Sequence, residues 1–188
     1  MTRIFTFLAS INAVALVLTY ALGFMSQLRG AATNQDDPTY LIHIVLGLCT
    51  ALLTLLVHCL IFTYFLGTGR WVKEVGLAYQ LPDEPLPKLT RELKRWTFPP
   101  ALFAMLITIA TAAAGAAAQR REWPWEVHAT LATLTLLINL WAFRVEYRNV
   151  TTNANVIEQV LAEVDRILAA RGLPSNAERL KEQERVNG

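Results

Sequence analysis

The sequence predicts an all-α membrane protein: an antiparallel bundle of four transmembrane helices with both termini cytoplasmic, followed by an amphipathic cytoplasmic helix. Three observations carry this. Four blocks, at about 4–25, 40–66, 101–118 and 125–143, are apolar and nearly free of charge. At 1.5 Å per residue, each is long enough to cross a hydrocarbon core of roughly 30 Å. Charged residues make up 17% of the chain, below the roughly 25% of soluble domains. The 17 Lys and Arg are also unevenly placed. Only Arg29, Arg120 and Arg121 fall on one side of the four spans, which by the positive-inside rule is the outer side of a cytoplasmic membrane.

The first block follows "MTR" and is longer than a signal-peptide core of about 7–15 residues, so it is expected to stay as a helix. Its polar interruption, Asn12, is expected to face a neighbouring helix. Asp36, Asp37 and Pro38 form the turn into the second block, which Tyr40 and Trp71 bracket as interfacial anchors. Cys49 and Cys59 share that block. At ten residues apart they are about 15 Å from each other and cannot bridge.

The loop 67–99 begins after the second span. "RWVKEVGLAY" can prolong the helix, whereas "LPDEPLP" breaks it with Pro82, Pro85 and Pro87. Leu86, Leu89, Leu93 and Trp96 then recur on one stripe among basic residues, the pattern of a short helix lying on an anionic leaflet. Pro99 and Pro100 are expected to open the third span. Its outer half, "ATAAAGAAA", is small enough to admit a neighbouring backbone or a flat ligand. The short turn "QRREWPWE" makes the third and fourth spans a hairpin. These elements form a transmembrane domain over 1–148. In the remainder, 149–188, Ile157, Leu161, Val164 and Leu168 recur at helical spacing, and Gly172 and Pro174 stop the helix. The polar tail after it is expected to be unordered. No internal repeat is evident, and there is no P-loop, GxGxxG, HExxH or CxxC motif.

All three histidines, His43, His58 and His128, lie within the apolar blocks. Ionisable residues there are costly, and by default they mark a functional site. The second and fourth spans run parallel. His43 is three residues past Tyr40 and His128 three past Trp125, so both lie at one depth near the outer interface. Such a pair can hold one haem iron between two helices of a bundle. Gly47, one turn below His43, makes room for a porphyrin, and Arg120 and Arg121 on the same side can pair with propionates. His58 lies about 22 Å deeper on roughly the same face. Met105 on the third span is at a depth to share an iron with it, and hydrogen bonding or quinone and proton handling are its other roles.

The layout resembles that of the four-helix, membrane-bound b-type cytochromes, in which paired histidines on helices hold haem inside the bundle. The resemblance rests on His43 and His128, with His58 as a remnant of a second pair, and it is one of layout, without a shared motif. Those cytochromes usually place four histidines, and this chain has three. It implies haem b as cofactor and electron transfer to or from a quinone or a partner oxidoreductase. Two other readings stand beside it. One is a metal site for zinc, iron or manganese at the outer face, built from His43 and His128 with Glu126, Asp36 or Asp37, and His58 as a further candidate. The other is a cofactor-free anchor or scaffold, with interfacial histidines, that docks a cytoplasmic protein through Ile157, Leu161, Val164 and Leu168. Asn139, Thr130, Thr133 and Thr135 are expected to make interhelical hydrogen bonds, and Arg144 and Glu146 to form a solvated helix end. The bilayer is the one partner common to all readings, and nothing points to nucleic acid.

Overall fold

The structure, a computed structural model, describes residues 1–31 and 37–187; Asp36 lies outside them. It is all-helical: α1 (Thr2–Leu28), α2 (Thr39–Tyr79), α3 (Leu86–Gln119), α4 (Trp125–Ala170) and α5 (Asn176–Asn187). The first four are long and apolar enough to span a membrane. Only 22% to 28% of each apolar window is buried within the chain. Many of the other residues form an outward apolar surface, including Ile4, Phe7, Leu52, Leu102, Leu106 and Leu137, as lipid contact requires.

Each of the first four helices packs on its neighbours in sequence among those four, and α1 also packs on α4 to close the bundle, with α2 and α4 facing each other across the middle. Between membrane helices apolar burial gives little drive, so packing and polar pairs matter more. The interior is accordingly rich in Thr and Asn. Asn12 donates to Thr54 Oγ1 at 3.0 Å, which confirms its expected orientation. Thr19 and Thr50 hydroxyls meet at 3.0 Å, those of Thr111 and Thr135 at 2.6 Å, and Tyr20 and Thr133 at 3.1 Å. Thr130 differs from expectation: among the described residues its hydroxyl bonds to the carbonyl of Glu126 in its own helix.

Three of the helices run well past the apolar spans. The 41 residues of α2 and the 46 of α4 correspond to about 60 and 70 Å. Their extensions, with the start of α3, form a second layer of core around Val72, Leu93, Val150, Val156 and Val160. The expectation of a leaflet-bound segment at Leu86–Trp96 is therefore corrected. Leu86 and Leu89 pack on this core, Leu93 is buried, and only Trp96 is exposed. Pro99 and Pro100 sit inside α3 and do not open it. The carbonyls they leave without a helical partner belong to Arg95 and Trp96, both exposed residues.

The boundary drawn at 148/149 falls within α4, which is continuous. Its buried stripe is Val156, Val160, Val164 and Leu168. Val164 and Leu168 are thus occupied within the chain and closed to a docking partner, while Ile157 is half-buried and Leu161 exposed. The tail expected to be unordered instead forms α5. Glu178 accepts from the Ser175 backbone N–H at 2.8 Å, and Ser175 Oγ accepts from the Glu178 N–H at 3.3 Å. This reciprocal capping box starts the helix.

Candidate functional site

His43 on α2 and His128 on α4 face each other across the bundle. Their ring centroids are 6.1 Å apart and their planes meet at 70°. Both are half-buried. His43 Nδ1 lies 3.1 Å from the carbonyl oxygen of Thr19 on α1, and His128 Nδ1 lies 3.0 Å from that of Thr111 on α3. A carbonyl can only accept, so each Nδ1 carries the hydrogen and each Nε2 keeps its lone pair. No hydrogen bond among the described residues engages either Nε2. A histidine held this way is oriented as metal-bound histidines are, with the second nitrogen tied to a carbonyl.

The rings also rest on glycines. A Cβ at Gly23 of α1 would lie 2.9 Å from His43 Cε1, and one at Gly115 of α3 would lie 2.9 Å from His128 Cε1. Any other residue there would displace the ring. Gly47, expected to make room beside His43, instead packs against Thr19, whose methyl is 3.4 Å from where its Cβ would be.

These contacts occur twice. Thr19 and Gly23 stand to His43 as Thr111 and Gly115 stand to His128, and the pairs Thr19–Thr50 and Thr111–Thr135 repeat the same relation. The α1–α2 and α3–α4 hairpins thus match, as an approximate twofold axis along the bundle requires. The histidine pair straddles that axis. The expectation of no internal repeat is corrected; the signal available in the sequence was Thr-x-x-x-Gly, at Thr19–Gly23 and again at Thr111–Gly115.

His58 is fully buried. Its Nδ1 lies 2.7 Å from Glu146 Oε1 and its Nε2 3.0 Å from Asn139 Oδ1. Both nitrogens are engaged, so neither is free for an iron shared with Met105, which is half-buried on α3. Glu146 is the residue that sequence reasoning misplaced: it is 0% exposed, not a solvated helix end. Asn139 does join helices, donating to Thr108 Oγ1 of α3 at 3.2 Å.

Among the other candidates, Arg120 pairs with Glu122 at 2.8 Å on the exposed turn after α3, and Arg121 follows it with φ 61°. Arg120 and Glu122 hold each other charged, the carboxyl below its usual range. Glu126 is exposed at the start of α4, and Asp37 accepts from the Thr39 N–H at 2.9 Å. Among the described residues no group of three or more His, Cys, Asp or Glu is placed to hold a metal ion. The arrangement offers two facing imidazoles, and among the described residues no carboxylate is grouped with them.

No protein-family model, curated protein or solved structure matches the chain. Its class is set by architecture: a four-helix bundle of membrane-spanning length with one opposed histidine pair near one end and a buried His–Glu pair deeper in.

Proposed function

We propose that the chain is an integral b-type haem protein of the cytoplasmic membrane, with both termini cytoplasmic, that transfers electrons to or from a quinone or a partner oxidoreductase. The single observation that supports this is the spacing of His43 and His128. Two imidazoles facing each other across a bundle, each with one unprotonated nitrogen, would be able to hold one haem iron between them. The observed separation is 6.1 Å. The Nδ1–H tautomers leave one nitrogen on each ring able to ligate, which supports this reading.

In this reading His43 and His128 would hold the iron, and the Thr19 and Thr111 carbonyls would orient the rings and raise their basicity. Gly23 and Gly115 let the rings approach α1 and α3. A haem with two histidine ligands has no open position and supplies one-electron transfer, with its potential tuned by the surrounding residues. Arg120 and Arg121 lie at the same end to meet propionate charge. Among the described residues no carboxylate joins the pair, which favours haem over a zinc, iron or manganese site.

The test is a visible spectrum of the detergent-purified chain, expressed with haem supplied, oxidised and then reduced. A Soret band with sharp reduced α and β bands is expected, lost in His43→Ala and His128→Ala and kept in His58→Gln. A colourless protein would sink the haem reading and leave a cofactor-free membrane subunit.

A further inference from the structure

The hydrogen bonds around His58 determine how many protons its contact with Glu146 holds. The Asn139 amide nitrogen has two acceptors, the carbonyl of Thr135 at 2.8 Å and Thr108 Oγ1 at 3.2 Å. Thr108 spends its own hydroxyl hydrogen on the carbonyl of Ala104 at 2.8 Å, so towards Asn139 it accepts. Reversing the amide would set an oxygen against the Thr135 carbonyl. Asn139 Oδ1 therefore faces His58, and Nε2, 3.0 Å away, must donate to it.

With Nε2 protonated, the 2.7 Å contact between His58 Nδ1 and Glu146 Oε1 contains one hydrogen. It belongs either to an imidazolium facing a carboxylate or to a carboxyl facing a neutral ring. With none, two lone pairs would meet at that distance. The second carboxylate oxygen, Oε2, is buried and has no hydrogen-bond partner among the described residues. It is the one place where a further proton can sit without disturbing the contact.

We infer that His58 and Glu146 form a buried proton-binding site, which holds one mobile proton in their contact and takes up a second on Glu146 Oε2. The groups facing the pair are Asn139 and Phe143 from α4 and Thr108, through Asn139, from α3. On α1 the polar group at this level, Asn12, is engaged by Thr54. None of these is charged, and among the described residues neither partner is ion-paired with a third group. Proton gain and loss at the pair is therefore uncompensated by a third residue. The pair joins α2, eight residues before the end of its apolar block, to α4, three residues past the end of its own. This inference stands on hydrogen bonding alone and holds whether or not haem binds.

The experiment is an infrared titration of the purified full chain in detergent, from about pH 5 to about pH 10, in H2O and D2O. A carboxyl C=O stretch that shifts in D2O is expected, titrating apart from the solvent-exposed carboxyls, with its whole amplitude lost in Glu146→Gln. A wild-type protein with no separable carboxyl band at any pH would show a permanently ionised pair and overturn the inference. So would a band unchanged in Glu146→Gln of wild-type helical content by circular dichroism. The wild-type spectrum decides by itself if the variant fails to fold, and a colourless protein leaves the titration valid.

Discussion

The rings of His58 and Phe143 stack across the bundle, with centroids 5.2 Å apart and planes at 21°. Each follows a member of the outer pair by fifteen positions: His58 after His43, and Phe143 after His128. By the internal repeat, Phe143 occupies the place where a second haem would find its second ligand. Phenylalanine has no lone pair, and both nitrogens of His58 are already engaged. On the proposed haem reading, the expected stoichiometry is about one haem per chain, measured as pyridine haemochrome against protein concentration. A value near two would require His58 to leave Glu146 and Asn139.

Gly23 and Gly115 set up a sign reversal. Replacing glycine by alanine inside a helix ordinarily stabilises it by roughly 0.5–1 kcal/mol. Here the added carbon meets a histidine ring at 2.9 Å in both cases, and relief of overpacking costs about 1–3 kcal/mol. Gly23→Ala and Gly115→Ala are expected to weaken haem retention about 10- to 100-fold while leaving helical content unchanged. The comparison is haem release to an apo-globin acceptor. Gly47→Ala, whose nearest neighbour is a methyl at 3.4 Å, is expected to release haem like the wild type.

The four spans were legible because a run of apolar residues needs no tertiary knowledge to be recognised. His43 and His128 were legible as a pair because equal distance from Tyr40 and Trp125 sets equal depth on parallel helices. The glycines opposite them were not, since a glycine's role depends on what approaches it from another helix. Glu146 was misread for a similar reason. Three residues past the apolar block and between Arg144 and Arg148, it has the local pattern of a solvated end. Only the continuation of α2, α3 and α4 as a packed layer buries it. That same layer explains why Leu86, Leu89 and Leu93 looked like a lipid-facing stripe: an amphipathic helix presents one apolar face whether it meets lipid or protein.

The extension of α4 carries two apolar stripes one residue apart, and they are distinguishable by experiment. Val164 is 2% exposed and Leu161 37%. A charge at the first is buried without a partner, and a charge at the second reaches water. Val164→Asp is expected to lose more than about 4 kcal/mol of stability and Leu161→Asp about 1 kcal/mol or less. Thermal unfolding in detergent measures both. Equal losses would place the buried stripe elsewhere.

The energetic weight of the His58–Glu146 contact follows from its being fully buried on both sides. Removing one partner of such a pair strands the other in a low-dielectric interior and costs about 3–5 kcal/mol, whereas replacing both with apolar residues of similar size is often neutral. Glu146→Leu and His58→Leu are each expected to destabilise the chain by that amount. The double variant should recover most of the loss, less the roughly 1–3 kcal/mol for Asn139 Oδ1, which loses its only donor. The resulting double-mutant cycle gives a coupling energy of several kcal/mol, read from the unfolding midpoints of the four proteins. Additive losses would mean that the two residues contribute independently and that the 2.7 Å contact does not hold α2 to α4.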